Sequence, residues 1–368
     1  MDTPRFGGEP TYGTQPMGHR KFMNRNAIVA IYLALALFNQ GALGQPPTGR
    51  IIAWGDNPGG AIFGYPTTGD AMGYVRAGDQ EFSDVVAIAT QGLRAMALKK
   101  NRTVAVWGRD LLNKGLLLTI PDGLSNVTAV ALATDHNVAL KTDGTIVAWG
   151  YAPHPSHPAA VLPQNISNIV AIACAGWDTL AIKGDGRIEK WGPGPLGWPP
   201  SGLSNIVAIA NGTTLGEDLA LRWDGSVVEW PCFYANDTYT MPRGLSNVVA
   251  IASGGTFALA LKKSGTVVAW GCMQFDFMNP NYGQLNVPVG LSNVVAIAAG
   301  RSISLALKKD GTVAVWGDNH HHQVDLAAGL TNIEAIAAGQ DFCLAIQANS
   351  ALTITNAFPE LPKLSGKP

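Results

Sequence analysis

The sequence contains little charge and no long apolar segment. Lys, Arg, Asp and Glu make up 14% of its 368 residues, and the formal net charge is −1 at pH 7. That balance argues against a nucleic-acid binder that works through bulk positive charge, so we predict no nucleic-acid partner. The sequence shows little helical periodicity after residue 50. Its hydrophobic fraction of 47% is enough for a large core.

The sequence also lacks the motifs that mark common active sites. It has no phosphate-binding loop, no Gly-x-Ser-x-Gly elbow and no His-Glu-x-x-His. Histidines occur in "HHH" (320–322) and "PHPSHP" (153–158), but no carboxylate or thiolate stands at a spacing diagnostic of zinc. We predict a protein that is not an enzyme and has no catalytic residue, metal or cofactor.

Cysteine is rare, with four residues in the chain. Cys174 and Cys343 lie in apolar strands and are predicted to be small buried hydrophobes. Cys232 and Cys272 closely follow tryptophans at matching repeat positions, so a disulfide between adjacent loops is one interpretation. The other is that the two positions lie too far apart, because a disulfide needs Cα atoms within about 7 Å.

The first 44 residues have the order of an export leader. Basic "HRKFMNRN" precedes the apolar run Ala27–Phe38, and small residues follow at Ala42 and Gly44. This order predicts a signal peptide cleaved after Gly44 and a secreted or extracytoplasmic protein. The alternative is a retained anchor, but the run is shorter than the usual span of about 20 residues, so we predict no stable membrane insertion after leader removal.

Glycine and proline are abundant, at 43 and 23 residues, and they punctuate an internal repeat. Seven copies of a motif such as "VVAIAAGRSISLALKKDGTVAVWG" follow one another, and the last copy is degenerate. We number these repeats one to seven. They begin at Val85, Val127, Ile169, Ile206, Val248, Val294 and Ile333.

Each repeat predicts a small antiparallel meander. "VVAIA" is a short β-branched strand, "LALK" alternates as a second strand, and "TVVAW" is a third. The turn between strands two and three is Asp-Gly in four copies, a strong hairpin signal. The variable segment that follows, such as "GQLNVPVG" (283–290), has room for a fourth edge strand.

Repeats of about 40 residues with four strands predict the blades of an all-β, seven-bladed propeller. The Ala-rich first strands would crowd at the axis, and the tryptophans would fill the widening space between blades. The tryptophans that end the third strands are Trp54, Trp107, Trp149, Trp191, Trp230, Trp270 and Trp316.

The ends of the repeat array suggest how the ring closes. "GRIIAWG" (49–55) is a third strand without partners, whereas repeat seven has first and second strands followed by an eroded "ALTITNA" (351–357). We predict that the N-terminal strand completes the last blade, and "ALTITNA" is the competing candidate. The predicted organisation is a leader over 1–44, a propeller over 45–357 and a Pro-rich tail over 358–368.

The motif "SNVVAIAAG…LALKKDGTVAVWG" resembles the RCC1-type repeat of the regulator of chromosome condensation. The length and leader look similar to the secreted bacterial branch that includes propeller-type β-lactamase inhibitory proteins. The resemblance implies a seven-bladed propeller and a function that varies among relatives, including nucleotide exchange, photoreception and inhibition. The basic tail and the tryptophan cluster used by the first two are missing here, which disfavours both.

The meander assigns the variable residues to two rims. The rim with the Asp-Gly hairpins repeats lysines such as Lys99, Lys100, Lys262 and Lys263, which we interpret as solvated turns, with an anion-binding ring as the alternative. The other rim carries aromatic and Met side chains, which are typical of protein interfaces. The predicted partner-binding residues there are Trp177, Phe233, Tyr234, Tyr239, Phe275, Phe277, Met278 and Tyr282.

These observations predict a monomeric, non-catalytic protein that binds an unidentified protein partner through one rim. Of the listed residues, Trp177 falls where the lactamase inhibitors place an aromatic contact, and an inhibitor-like role is one form of protein binding that the resemblance offers. The other repeats have Arg94, His136, Thr256, Ser302 and Asp341 in that region, which disfavours a lactamase as the target. A glycan-binding or hydrolytic propeller is the alternative class. A regulator with exchange-factor ancestry is a third.

Overall fold

The computed structural model describes residues 49–57, 62, 71–77, 80–110, 115–151, 162–163, 166–192, 197–212, 218–230, 241–271 and 282–348. Within these residues the chain is almost entirely β-structure, with one short helix, α1 (Gln323–Leu326). No described helix is long and apolar enough to cross a membrane.

The strands are short and follow the predicted repeat boundaries closely. In chain order they are β1 (Gly49–Gly55), β2 (Ala71–Tyr74), β3 (Arg76–Ala77), β4 (Gln80–Glu81), β5 (Val85–Gln91), β6 (Arg94–Lys99), β7 (Val104–Gly108), β8 (Val127–Leu132), β9 (His136–Lys141), β10 (Ile146–Gly150), β11 (Ile169–Ala175), β12 (Asp178–Lys183), β13 (Ile188–Trp191), β14 (Ile206–Ala210), β15 (Asp218–Arg222), β16 (Val227–Trp230), β17 (Val248–Ser253), β18 (Phe257–Lys262), β19 (Val267–Gly271), β20 (Val294–Ala299), β21 (Ile303–Lys308), β22 (Val313–Gly317), β23 (Ile333–Ala338) and β24 (Phe342–Ala348).

Each of repeats one to six folds as the predicted antiparallel meander. Repeats two to six form separate three-stranded sheets, and repeat one (β5-β6-β7) belongs to a larger sheet that also contains β23, β24 and β1. Successive side chains along each strand point to opposite faces of the sheet. Both faces are apolar and are buried against neighbouring sheets.

The expectation of mostly four-stranded blades is wrong for the described residues. The segment "GQLNVPVG" forms turns instead of an edge strand, with Asn286 N–H donating to Gly283 O at 2.8 Å and Leu291 N–H to Pro288 O at 3.1 Å. Glycine and proline favour these local bonds over a sheet ladder. A fourth strand does occur beside β1, where β2 pairs with Ile52–Gly55.

All seven first strands contain a register shift that the sequence pattern did not reveal. In repeat one it lies between Val85 and Ala87, and the other six copies have it at the same position. An extra residue of this kind bends the strand and increases its twist. The regular shift therefore gives every sheet the same curvature near its inner edge.

The Asp-Gly hairpins form as predicted, with a three-residue loop. In repeat two, Lys141 N–H donates to Thr145 O at 2.8 Å, and the Asp143 carboxylate accepts from the Thr145 amide at 2.9 Å. Gly144 adopts φ 80°, a left-handed conformation that glycine reaches without steric cost. The same pattern recurs at Asp224 and Asp310.

The prediction that the repeat tryptophans form core between sheets is confirmed. Trp54, Trp149, Trp191, Trp230, Trp270 and Trp316 are buried, and Trp107 packs against the cluster beside the first repeat. Each cluster joins side chains of neighbouring repeats. Trp270 of repeat five, for example, packs with Leu219 and Leu221 of repeat four. The glycine after the tryptophan leaves room for the carbonyl of the adjacent second strand, as at Gly271, where a Cβ would lie 2.5 Å from Thr256 O.

The N-terminal strand pairs with repeat seven. β1 runs antiparallel to β24 along its whole length, from Gly49 opposite Ala348 to Gly55 opposite Phe342. The order β23-β24-β1 therefore reproduces the three-stranded meander from two ends of the chain. "ALTITNA" lies outside the described residues.

Candidate interaction site

The meander gives the molecule two faces that differ in regularity. We call the side with the turns between strands two and three the hairpin face. The side with the turns between strands one and two, and the first part of each segment after strand three, is the loop face. The last part of each such segment, just before the next first strand, returns to the hairpin face, as Asn293 does when its carbonyl accepts from Lys309 N at 2.8 Å. Adjacent repeats are tied together on this side, since the first amide of each of repeats two to seven donates to the preceding hairpin, as Ile169 N–H does to Gly144 O at 3.1 Å.

A cavity of about 680 Å³ opens between the first strands of all seven repeats. Small residues dominate its wall, as expected from the Ala-rich first strands. The sixth residue of each first-strand motif lines the cavity and varies in chemistry from repeat to repeat. These residues are Thr90, Leu132, Cys174, Asn211, Ser253, Ala299 and Ala338.

The residues that open the second strands divide the loop face into two halves. In repeats one to four they are Arg94, His136, Asp178 and Asp218, all buried. In repeats five to seven they are Phe257, Ile303 and Phe342, also buried. One half of the face therefore rests on a buried polar arc (Arg94, His136, Asp178, Asp218 and their partners), and the other half rests on hydrocarbon.

Arg94 links repeats one and two. Its guanidinium donates to Asn137 Oδ1 at 2.7 Å, to Thr134 O at 3.1 Å and to Ala133 O. Burial lowers the pKa of Arg94 to about 10, against the attraction of Asp110 and Asp135, so it stays a cation at neutral pH. Asn137 in turn donates to Leu117 O at 2.7 Å.

Repeats two and three share a relay with the connectivity of a catalytic triad. His136 Nδ1 lies 2.8 Å from Asp135 Oδ1, and His136 Nε2 lies 2.6 Å from Thr179 Oγ1. Thr179 Oγ1 also lies 3.3 Å from Cys174 Sγ. Both His136 and Thr179 are fully buried, and burial raises the pKa of the Cys174 thiol to about 12, so this thiol is not an activated nucleophile.

Repeats three and four share buried charges beneath an exposed tryptophan. Lys190 Nζ lies 3.0 Å from Asp178 Oδ2, and it donates to Gly197 O at 3.0 Å. Burial raises the pKa of Asp218 to about 7, although Lys190 opposes that rise. Lys190 Nζ also lies 5.9 Å from the ring centroid of Trp198, whose side chain is 70% exposed.

Of the predicted partner-binding residues, the structure describes two. Trp177 is half-buried in the turn before β12, next to Asp178. Tyr282 is 36% exposed and stacks edge-on against His320, with ring centroids 4.9 Å apart. Both lie on the loop face as expected. Phe233, Tyr234, Tyr239, Phe275, Phe277 and Met278 lie outside the described residues, as do Cys232 and Cys272.

The histidines of the run 320–322 contact nearby carboxylates. His320 Nδ1 lies 2.6 Å from Asp318 Oδ1, and His322 Nδ1 lies 3.1 Å from Asp325 Oδ2. His322 adopts φ 55°, a left-handed conformation. Related repeats often have glycine at this position. The part of the chain that the structure describes contains no group of three metal-ligating side chains. His154 and His157 lie outside it.

Sequence reasoning missed the buried polar arc and Trp198. The sequence signal for the arc was present, because the first residue of strand two is polar in repeats one to four and is Phe or Ile in the other three. The partners could not be read in the same way. Arg94 and Asn137, or His136 and Thr179, are 43 residues apart and meet only when neighbouring sheets stack.

Comparison with known proteins agrees with this architecture. Residues 248–276 and 294–323, in repeats five and six, match the family model described as the regulator of chromosome condensation (RCC1) repeat. A search of curated proteins finds no match.

Solved structures with the same architecture cover most of the chain. Prp20p from Saccharomyces cerevisiae, whose structure was reported with its binding to Gsp1p and histones, has a TM-score of 0.62 and 18% identity over 89% of this chain and 95% of its own. Yeast RCC1 (Prp20) bound by Kap60 has a TM-score of 0.61 and 16% identity, over 94% and 97%. Human WBSCR16 has a TM-score of 0.59 and 17% identity, over 82% and 100%. At these identities the likeness shows an RCC1-like propeller fold.

Proposed function

We propose that the chain is a closed seven-bladed propeller that binds another protein through its loop face and carries out no catalysis. In this proposal the leader directs the protein out of the cytoplasm, and the mature protein acts as a monomer. The leader sequence and the resemblance to the secreted, inhibitor-containing branch support the location.

Closure through the N-terminal strand is supported by the junction between repeats seven and one. At the other junctions a hairpin carbonyl meets the next first strand, as Gly311 O meets Ile333 N at 3.0 Å. At the last junction Gly49 of β1 pairs with Val85, the first residue of repeat one. The first strands of all seven repeats also line one cavity, as expected for a ring.

One observation supports protein binding. A regular scaffold holds different side chains at equivalent positions of a single face. The loop face combines exposed Trp198 and Tyr282 with the buried polar arc. Buried bonds such as Arg94 to Asn137 fix the backbone beneath the variable segments, and a rigid base lowers the ordering cost of association. The solved relatives support a macromolecular partner, since Prp20p is reported with Gsp1p and histones and with Kap60.

The test compares tryptophans on opposite faces. The wild-type chain, W198A/Y282A and W223A are immobilised, exposed to the native extracellular medium, and the retained proteins are identified by mass spectrometry. Trp223 is a suitable control because it is 47% exposed but lies at a hairpin. We expect one protein to be retained by wild type and W223A, and to be reduced at least tenfold on W198A/Y282A, since aromatic anchors commonly contribute about 2 kcal/mol or more.

A second variant, F233A/Y234A/F275A/F277A, tests the residues that the sequence singled out, and it is expected to lose the same protein. Circular dichroism and thermal unfolding confirm that each variant is folded. Loss from W223A to the same extent as from W198A/Y282A would reject the loop face as the binding surface. Retention of glycans instead of a protein would favour the glycan-binding alternative.

A further inference from the structure

We infer that the hairpin face is a docking surface for an anionic lipid bilayer, so that a bound molecule presents its loop face away from the membrane. This goes beyond the proposed protein-binding function, since it concerns the opposite side of the molecule. It rests on the charge of that face, on two protruding apolar side chains and on the point where the chain enters the fold.

The hairpin face holds several cations that make no ion pair with described residues. Lys100, Arg102, Arg243, Lys263 and Lys309 are exposed, and none of them makes an ion pair within the described residues. Lys100, Lys263 and Lys309 immediately follow second strands, and Arg102 lies in a hairpin. The residue after the second strand is Thr142, Gly184 or Trp223 in repeats two to four, so the unpaired lysines lie on the part of the hairpin face formed by repeats five, six and one.

The hairpin aspartates pair with cations of their own turns and not with the five named above. The Asp310 carboxylate accepts from both the amide and the hydroxyl of Thr312, at 3.0 and 2.5 Å, and from Lys308 Nζ at 3.1 Å. Asp185 is held in the same way by Arg187, with the closest ion-pair atoms 2.6 Å apart. These carboxylates are engaged within their turns, while the five cations named above point to solvent.

Exposed carboxylates occur on both faces, Asp84 among them on the hairpin face, but the loop face has a further set. Asp56, Asp110, Asp318 and Asp341 lie at the ends of third strands or in turns before second strands, beyond the buried Asp178 and Asp218. A net charge of −1 for the whole chain thus conceals opposite signs on its two faces. Such a polarised molecule approaches an anionic plane with its basic side first.

Two large apolar side chains protrude from the basic face. Trp223 follows β15 at a hairpin and is 47% exposed, with its backbone fixed by the bond from Trp223 N to Asn205 O at 3.0 Å. Val289 is fully exposed in the turn before Asn293, whose carbonyl accepts from Lys309 N at 2.8 Å. Tryptophan beside basic residues suits the boundary between headgroups and acyl chains.

The chain also enters the fold on this face. Gly49 begins β1 beside Val85, at the hairpin end of the sheet. The 48 preceding residues contain "HRKFMNRN" and the apolar run Ala27–Phe38. While the leader is still attached, its contact with the bilayer during export brings the basic face to the lipid surface. This continuity, together with Trp223 and Val289, favours a bilayer over a nucleic acid, which would need charge alone.

The experiment uses the full chain and sedimentation with sucrose-loaded vesicles of phosphatidylcholine, with or without phosphatidylglycerol. Wild type is compared with K263E/K309E on the hairpin face and with R109E/R301E, a control that reverses two exposed cations of the loop face. All three carry the same leader, and the measurement is made at about 0.1 M ionic strength, where the Debye length is about 10 Å.

We expect wild type to bind anionic vesicles at least tenfold more tightly than neutral ones. K263E/K309E should lose at least tenfold in partition coefficient, because each basic group near such a surface contributes about 1 kcal/mol. R109E/R301E should change less than twofold. W223A/V289A should weaken binding about threefold at high salt, where charge is screened but apolar contact persists.

Three outcomes would overturn the inference. They are equal losses for the two charge-reversed variants, no preference for anionic lipid, and binding of duplex DNA without binding of vesicles. None of them affects the proposed protein-binding function, because W198A/Y282A and K263E/K309E alter opposite faces and are read out with different ligands.

Discussion

At the scale of single residues, the repeat keeps certain residues because the backbone requires them. The residue before each first strand adopts φ between 56° and 59° in all seven repeats. It is asparagine in six repeats and Asp84 in repeat one, and both types tolerate this left-handed conformation. Its carbonyl then accepts the amide that follows the second strand, as Asn247 O does from Lys263 N at 2.8 Å.

Glu334 departs from the repeat and predicts a pH-dependent stability. It occupies the register shift of β23, where five other repeats have valine and repeat two has Thr128. Its carboxylate is 4% exposed, and neither oxygen has a hydrogen-bond partner among the described residues. Burial raises the pKa of Glu334 from 4.5 to about 7. Burial is the only cause of this rise, and no neighbouring charge contributes to it.

The raised pKa sets the direction of the effect. Below about pH 4.5 the group is neutral in both states, and as the pH rises to 7 the unfolded chain releases the proton while the folded chain retains it. Folding stability contributed by this group therefore falls over that window and stays lower above it. We expect E334Q to raise the free energy of unfolding by about 2 kcal/mol at about pH 8 and by little at about pH 4.5.

Urea unfolding at the two pH values measures this difference. E334V, which restores the residue of the other repeats, should stabilise the protein at both pH values and most at the higher one. A gain from E334Q that is the same at both pH values would show that the pKa of Glu334 does not differ between the folded and unfolded states.

At the scale of elements, β1 is the strand whose position depends on distant sequence. Its partner β24 is almost 300 residues away in the chain, and their pairing places Gly49 against the backbone of Gln347. A Cβ at position 49 would meet Gln347 O and would lie 2.6 Å from Ile346 Cγ2. Gly49 does not have a positive φ, so a special backbone conformation is not the reason for glycine here. The reason is the close approach of the two backbones.

We expect G49A to lower the free energy of unfolding by about 1–3 kcal/mol, because the added methyl must displace backbone. Hydrogen exchange should show the largest loss of protection in β1 and β24. The matched control is G271A, which introduces a similar clash with Thr256 O in repeat five and should affect β18 and β19 instead. Unchanged protection of β24 in G49A would argue against β1 as a stable part of the last sheet.

At the scale of the whole molecule, stability comes from contacts between sheets. A three-stranded sheet cannot bury both of its own faces, and each core cluster here contains residues from adjacent repeats. Trp270 shows the coupling most clearly, since it packs on repeat four and its Nε1–H donates to Glu229 Oε1 of that repeat at 2.8 Å. Burial raises the pKa of Glu229, and this hydrogen bond opposes the rise.

W270A is expected to cost about 3–5 kcal/mol, through lost apolar burial and the cavity left behind. Exchange protection should fall in β16 of repeat four as well as in β19. W270F keeps much of the ring and loses the donor, so its cost should be smaller. The exposed W223A should change stability by less than about 0.5 kcal/mol. A loss confined to repeat five would show that neighbouring sheets unfold independently.

The sequence was most informative where a property depends on nearby residues. Strand boundaries, the hairpins at Asp143 and Asp310 and the burial of the tryptophans follow from alternation, turn chemistry and side-chain size within one repeat. It failed at "GQLNVPVG", because local turn bonds replaced the sheet ladder that would have made a fourth strand. It recognised Trp177 and Tyr282 as loop-face residues but passed over Trp198.

The sequence alone therefore determined the building unit and its number of copies, since a period of about 40 residues with period-2 strands and fixed turns can be read directly from the chain. Only the tertiary structure decided which residues meet between units. The pairing of β1 with β24, the His136–Thr179 contact, the burial of Glu334 and the opposite charges of the two faces all depend on how the sheets stack. Stacking joins residues that are distant in sequence, and no local pattern specifies those contacts.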